Sequence, residues 1–371
     1  MARPELTRRE FIERLLLTGA LLLVPRWARG ADKVIAPGRR LGIALVGLGS
    51  YSTHHLGPAI RLSQGFRLTG VVTGDPAKGA RWAREYGFSG KNVYGYDTMH
   101  EMAGNPDIDV VYVVTPNGLH AEHTIAAARA GKHVICEKPM AVSVAECDAM
   151  IAACRAANVT LSIGYRLHFE PHNLEFMRLA GAGELGPFLH LNGVNGFRME
   201  AGNWRTDPKL SGGGPIMDMG VYVIQAACMA KGEAAPVAVT AGFDPKNRPE
   251  LFSAVDESIR WVMEFGDGAT ARCHATYDET ASSFRAEGPH GWAELGFPAF
   301  YYDVPKLTTS RGPVHRAAVN QQAAQLDGMA PCILAGRPSP APGEMGRRDV
   351  AVIEAVYASA RAGGKRVAVL A

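Results

Sequence analysis

The sequence predicts an α/β chain in two parts: a doubly wound parallel sheet, then an α+β domain carrying an open, mostly antiparallel sheet. Three observations predict it. Between about residues 40 and 165, short continuously apolar runs alternate with helical segments, as expected of βαβ units whose strands are buried on both faces. The first of those runs ends in glycines that open a helix. Beyond residue 166 the runs lengthen and begin to alternate apolar with polar, the pattern of strands with one covered face. A length of 371 residues at 47% hydrophobic content allows a core for two such domains.

The first thirty residues read as a targeting segment and not as part of the fold. Thr7-Arg8-Arg9-Glu10-Phe11-Ile12 is a twin-arginine pattern, followed by a short apolar run from Leu15 to Val24 and small residues at Ala28 and Gly30. Such a run is too short for a comfortable permanent anchor, so cleavage is expected near Gly30/Ala31 and the mature protein in the periplasm. The segment holds six arginines and three acids and so carries the whole formal charge of +3. The remaining chain is near neutral. That balance excludes a phosphate-tracking nucleic-acid binder and gives no reason to expect a membrane partner.

The elements follow in order. Leu41–Val46 is a buried parallel strand, and a helix running from near His54 to Leu62 follows its glycines. Arg67–Thr73 is the second strand and Pro76–Tyr86 a helix. Val110–Thr115 is the third strand, ending at Pro116-Asn117. Helix His120–Ala130, strand His133–Cys136, helix Val144–Ala157 and strand Thr160–Gly164 complete a first domain of residues 40–165. In the second domain, residues 166–371, strands are expected over 187–200, 236–245, 257–265 and 268–277. Ile259, Trp261, Met263 and Phe265 point one way, and Gly266-Asp267-Gly268 forms a hairpin turn. A helix from Met345 to Ala362 closes the chain with Val350, Ile353, Tyr357 and Ala360 on one stripe. One face of the open sheet is expected to be apolar and aromatic and covered by another subunit, which predicts a homodimer or homotetramer.

Gly47-Leu48-Gly49-Ser50-Tyr51-Ser52 lies between the first strand and its helix. Gly47 permits a tight turn, Gly49 a close backbone approach to a pyrophosphate, and the helix N-terminus offers free N–H groups. The usual third glycine is Ser52. An acid at the end of the second strand would bond the ribose 2′-hydroxyl of NAD. That place holds Thr73-Gly74, with Asp75 beyond it, so a 2′-phosphate meets no carboxylate. Thr73 can donate to it and Lys78 can supply charge, which favours NADP.

Glu137-Lys138-Pro139 follows the fourth strand, at the sheet edge where dinucleotides bind. Gly212-Gly213-Gly214 joins a flexible turn to a helix on which Asp218 and Tyr222 share a face. Lys138, Asp218 and Tyr222 thus form a candidate interdomain acid–base cluster. His54 and His55 are read as helix-start residues, and His120 and His123 as packing or cofactor contacts. The six cysteines form no CxxC pairs and read as free thiols. No acid or His/Cys cluster argues for a metal.

Taken together, Gly47/Gly49, the turn Thr115-Pro116-Asn117-Gly118-Leu119-His120, Glu137-Lys138-Pro139 and the Asp218/Tyr222 helix resemble the Gfo/Idh/MocA oxidoreductase family, over essentially the whole mature chain. Most of that family has histidine where this chain has Tyr222. Tyrosine there, with Thr73-Gly74, Lys78 and the twin-arginine leader, is similar to the branch of periplasmic glucose–fructose and aldose–aldose oxidoreductases. The resemblance implies that Lys138 stands beside the nicotinamide ribose and the substrate hydroxyl. Tyr222 would take the hydroxyl proton, helped by the nearby ammonium, and Asp218 would hold the sugar. It implies cofactor contacts at Tyr96, Pro116, Asn117, His120, Glu137 and Arg166, and also at Trp204, Arg205 and Tyr302. Loops 166–175 and 196–212 would shape the pocket.

Export adds a constraint. The twin-arginine route carries folded proteins to a compartment with little free nucleotide, so a non-dissociable NADP(H) and ping-pong chemistry between two sugars are expected. Two other functions stay open at this level: an exported NAD-dependent glycoside hydrolase of the same family, and a non-catalytic sugar or nucleotide sensor.

Overall fold

The computed structural model describes residues 39–181 and 183–370. The twin-arginine segment and its cleavage site lie outside the described residues.

The first sheet has six strands, all parallel: β1 (Leu41–Val46), β2 (Phe66–Val72), β3 (Val93–Tyr94), β4 (Val110–Val113), β5 (His133–Cys136) and β6 (Leu161–Ile163), in the order β3-β2-β1-β4-β5-β6. Every residue of β1 and β4 is buried, as their unbroken apolar runs require. The strand order reverses between β1 and β4, which opens a crevice at their C-terminal ends. Helices α1 (Gly57–Leu62), α2 (Pro76–Tyr86), α3 (His120–Arg129) and α4 (Val144–Ala156) make the crossovers, α5 (Pro171–Gly181) leads into the second sheet, and the short α6 (Pro208–Ser211) follows that sheet's first strand. β3 was not read from the sequence: two residues of strand leave no periodicity to detect.

The second sheet has nine strands in the order β14-β13-β12-β11-β7-β10-β9-β8-β15, the last being Val367–Ala368. All neighbours are antiparallel except β7 (His190–Gly196) and β10 (Thr270–Thr276). The alternation in β9 (Ser258–Glu264) holds: Ile259, Trp261 and Met263 are buried while Arg260 is exposed. Gly268, at φ +84°, closes the hairpin to β10. Strands β11 (Ala281–Gly288), β12 (Gly291–Gly296), β13 (Lys306–Thr309) and β14 (Gly312–Val314) went unread, because Ser282 and Ala286 of β11 are buried without looking apolar enough to mark a strand.

Helix α7 (Val221–Ala230) packs on β7, β10 and β11, and the long α9 (Gly343–Arg361) packs on both β8 (Ala238–Phe243) and α4. Between them α8 (Gln321–Leu334) returns to the first sheet, where Asp327 accepts from Ser63 Oγ at 2.6 Å and from the Gly65 amide at 3.0 Å.

The outer face of this sheet corrects one expectation. It is charged, not apolar and aromatic. Arg260 and Arg272 are exposed, Arg285 pairs with Glu294 at 3.0 Å, and the same guanidinium covers the ring of Trp292 at 4.0 Å. Strand alternation sends the apolar residues to the helix-covered side, so what remains outward is polar.

Candidate active site

Gly47 follows β1 in the left-handed region, at φ +92°, and its amide donates to Val72 O. A Cβ there would sit 3.1 Å from both Thr115 Cγ2 and Val114 O, so only glycine fits without strain. A Cβ on Gly49 would meet nothing within 4 Å: that position faces open space. Ser52 explains the missing third glycine. Buried at 0% exposure, it donates its hydroxyl to Gly47 O at 2.6 Å and ties the helix start to the turn. Leu48 is buried, Ser50 exposed and Tyr51 half-buried. A turn with free space above Gly49, at the strand-order reversal, fits a dinucleotide pyrophosphate.

At the end of β2, Asp75 is occupied with its own helix: its carboxylate accepts the Lys78 amide at 3.0 Å and caps α2. Thr73 is buried and its Oγ accepts from the Asp75 amide at 3.2 Å. Lys78 is half-buried beside it. Tyr96 lies alongside Gly74 and stacks on His123 at 5.0 Å. These residues form the far end of the crevice, away from Lys138.

The near end encloses a cavity of about 270 Å³ between the two sheets. Of the residues singled out from sequence, it brings together Tyr51, Thr115, Asn117, His120, Glu137, Lys138, Arg166, Trp204, Arg205, Asp218, Tyr222 and Tyr302. Pro116 does not line it; this residue precedes the turn from which Asn117 reaches across to donate to Ser211 O at 2.8 Å. Both ring nitrogens of His120 face carbonyl oxygens, those of Pro139 and Thr115, each at 2.8 Å. Burial nevertheless pushes this imidazole down to about 4. Burial raises the Glu137 carboxyl above its usual range, against the hydrogen bond that its Oε1 accepts from Tyr112 at 2.6 Å.

Lys138, Asp218 and Arg205 form a buried ionic triad. Lys138 Nζ donates to Asp218 Oδ1 and to its backbone carbonyl, both at 2.9 Å, while Arg205 Nε donates to Oδ2 at 2.6 Å. Burial alone would raise the Asp218 carboxyl. The Arg205 and Lys138 charges outweigh it and hold that carboxyl well below its usual range. Burial would likewise lower the Lys138 ammonium, and Asp218 together with Tyr222 raises it above its usual value instead. Lys138 is therefore a fixed cation and a donor, not a base. Its Nζ stands 4.7 Å from the centre of the Tyr222 ring.

Asp218 lies in a wide helical turn, Ile216–Gly220, that opens α7, so its carboxylate and the Tyr222 ring reach the same cavity from successive turns. The glycine run before them corrects a second expectation, since it is packed and not a flexible turn. The Gly214 amide donates to Asp256 Oδ1 and to Tyr357 OH, and a Cβ there would lie 2.4 Å from Asp256 O.

Tyr302, expected here from sequence, belongs to an aromatic strap over the cavity whose other two residues, Phe300 and Tyr301, sequence reasoning missed. All three residues line the cavity, with Val114, Phe197 and Met219. Phe300 N donates to Ser282 Oγ at 2.9 Å, Tyr301 OH bonds Gly196 O, and the Tyr302 ring stacks on His55 at 3.9 Å. Three consecutive aromatics in a loop were the available signal. Among the described residues no cluster of His, Cys, Asp and Glu could hold a metal, and the six cysteines are unpaired.

Comparison with known proteins agrees with this geometry. Residues 41–165 match the model of an oxidoreductase family with an NAD-binding Rossmann fold, and residues 174–294 match the GFO/IDH/MocA C-terminal domain. The structure is similar to that of aldose-aldose oxidoreductase from Caulobacter crescentus complexed with glycerol: TM-score 0.86 and 40% identity, over 89% of this chain and 100% of that one. In sequence it is similar to D-xylose 1-dehydrogenase [NADP(+)] of Haloarcula marismortui, 29% identical over 85% of this chain and 89% of that protein. It is also similar to 1,5-anhydro-D-fructose reductase of Ensifer adhaerens, 28% identical over 67% and 73% of the two chains.

Proposed function

The chain belongs to the Gfo/Idh/MocA oxidoreductase family, and from that premise we propose that it is an exported sugar oxidoreductase with a tightly held NADP(H). It oxidises an aldose at C1 to the aldonolactone, then reduces the carbonyl of a second sugar to an alditol before any nucleotide is exchanged.

The observation that carries this reading is the placement of the Lys138 ammonium against Asp218 and over the Tyr222 ring. These groups share a crevice whose other end has the features of a dinucleotide turn. The similarity to an aldose-aldose oxidoreductase along nearly the whole chain supports the choice of substrate class. The placement of Asp75 as a helix cap, with Thr73 and Lys78 beside it, supports NADP over NAD.

Gly47, Leu48, Gly49 and Ser50 would hold the pyrophosphate, Thr73, Gly74 and Lys78 the phosphorylated ribose, and the Thr115–Asn117 turn, with Glu137 and Lys138, the nicotinamide end. The bound nucleotide supplies a site that accepts hydride from the first sugar and returns it to the second. Tyr222 receives the proton of the C1 hydroxyl as that hydride leaves, and gives it back to the carbonyl oxygen in the second half. Lys138, kept charged by Asp218, donates to the sugar oxygen and stabilises the charge that develops there. The aromatic strap and Trp204 exclude water and offer flat faces to the C–H surfaces of a sugar ring. Arg8-Arg9 and the apolar run after them support export as a folded holoprotein, and self-association as a homodimer or homotetramer remains part of the proposal.

The test is product analysis. Purified protein given two sugars and no nucleotide should release aldonic acid and alditol in equal amounts. Free sugar released from a glycoside with no acid would identify a hydrolase instead. Lysine at both Arg8 and Arg9 should leave the protein in the cytoplasmic fraction; unchanged recovery from the periplasm would sink the export assignment.

A further inference from the structure

Three cations line the crevice, and they are not balanced alike. Lys138 and Arg205 share the Asp218 carboxylate. Arg166 is only 2% exposed, and among the described residues no carboxylate lies within ion-pair distance of it. Its two terminal nitrogens donate to neutral acceptors: NH1 to Tyr301 O at 3.0 Å and to Gln321 Oε1, NH2 to Phe300 O. Nε has no partner. Neutral acceptors replace lost hydration but place no counter-charge in contact with the guanidinium, which is costly in a buried place. The Glu137 carboxyl of the same cavity feels this cation, yet burial raises it above its usual range.

What the guanidinium does face is a pair of phenol rings. Its central carbon stands 5.0 Å from the centre of the Tyr222 ring and 4.8 Å from that of Tyr302. Tyr222 thus has two cations on it, Lys138 from the end of β5 and Arg166 from the end of β6. The other titratable and charged groups lining the same cavity are Tyr302 from the strap, Tyr51 from the helix after β1, Glu137 beside Lys138, Arg205 from the loop before α6 and Asp218 on Tyr222's own helix. Burial raises Tyr302 to about 12 and Tyr51 well above the ordinary phenol value, so both stay neutral.

The geometry points to Arg166 as a positioning residue for proton transfer: a cation kept without a carboxylate so that the Tyr222 oxygen is its counter-ion whenever that oxygen has given up its proton. This rests on the reading of Tyr222 as the proton acceptor. Burial opposes the charged guanidinium, and the strongest influence in its favour comes from Tyr222. In the oxidation half the sugar O–H bond breaks and its proton passes to the Tyr222 oxygen, while the C1–H pair leaves as hydride to the nucleotide. Arg166 exchanges no proton. Its part is electrostatic, set in place before the reaction. An arginine suits this place because its fork holds the Phe300 and Tyr301 carbonyls while its charge stays over the ring.

The experiment is the single-turnover rate of aldose oxidation as a function of pH, in holoenzyme carrying wild-type sequence, Arg166→Gln, Arg166→Lys or Gln321→Met. If wild-type protein with bound nucleotide shows no sugar-dependent reduction, the functional reading fails, whatever Arg166 does. If it reduces, the Arg166→Gln curve should lie about one pH unit or more to the alkaline side, with at least about a tenfold loss at neutral pH. Gln321→Met removes an acceptor of Arg166 NH1 and the donor to Tyr301 O and Asp303 O, but leaves NH1 its bond to Tyr301 O and removes no charge. It should lower the rate by one factor at every pH. Arg166→Lys should keep the wild-type curve shape. The inference is overturned if Arg166→Gln leaves the curve in place, or if Gln321→Met moves it as far. Should Arg166→Gln yield no folded holoenzyme, Arg166→Lys decides: a superimposed curve supports the charge, and a curve displaced by about one pH unit contradicts it.

Discussion

Lys138, which follows β5, and Asp218, in the helical turn that opens α7, meet across the crevice with Nζ 2.9 Å from Oδ1, both side chains nearly buried. The contact joins the two domains at the cavity and favours the charged form of each partner. Asp218→Asn leaves the nearly buried Lys138 and the half-buried Arg205 without their shared carboxylate. The variant should lose on the order of 3 kcal/mol of stability, measured by urea denaturation at neutral pH. The sign with pH follows. The folded carboxyl lies below its usual value, so its contribution is complete above about pH 4 and disappears as the pH falls through the folded value. Wild type and Asp218→Asn should therefore converge in acid. Equal stability at neutral pH would mean that the triad contributes nothing net.

Tyr222→Phe keeps the ring, which stacks on Phe300 at 6.2 Å, and removes only the hydroxyl. Stability should change by no more than about 1 kcal/mol, while sugar turnover falls by roughly 10²- to 10⁴-fold. Bound nucleotide should be unchanged. Wild-type turnover in this variant would reassign the proton acceptor.

Thr73→Glu places a carboxylate at the end of β2 that is not engaged in capping. The ratio of NADP to NAD recovered with the protein should fall by roughly tenfold, the effect of about 1.4 kcal/mol. Mass spectrometry of the released nucleotide reads this directly, and an unaltered ratio would place the ribose elsewhere.

His120 supplies a second pH signature. Its buried ring titrates near 4, against about 6.5 when free. The folded value is lowered, so the neutral ring's contribution is complete above about pH 6.5 and is lost as the pH falls through about 4. Stability should decline by up to about 3 kcal/mol over that window. His120→Gln should flatten the decline in denaturation midpoints between about pH 7 and about pH 5, and an equal slope in both proteins would exclude His120 as its source.

Most of the first domain was legible because its strands are short apolar runs buried on both faces, and β1 and β5 fall where the sequence places them. The cluster was legible for a different reason. Lys138, Asp218 and Tyr222 sit beside glycines and prolines that mark turns. Strands β11 to β13 were not, since each buries a single large apolar side chain, Phe284, Leu295 or Leu307, and fills its other buried positions with Ser282, Ala286, Ala293 and Thr309; β14 is three residues long. Of the strap only Tyr302 was singled out, because Phe300 and Tyr301 owe their place to long-range partners, Arg166, Ser282 and Gly196, which no local pattern reveals. Arg205 was read as a cofactor contact, and its bond to Asp218 became visible only when the loop was folded.

In the proposed cycle one sugar reduces a nucleotide that the protein carries through purification, and a second sugar reoxidises it. Protein purified with no added nucleotide is mixed with an aldose and its near-ultraviolet absorbance followed. The absorbance should rise to a plateau equivalent to the protein concentration, then return to baseline when an acceptor sugar is added. A baseline that stays flat until NADP is supplied would contradict a nucleotide held through purification.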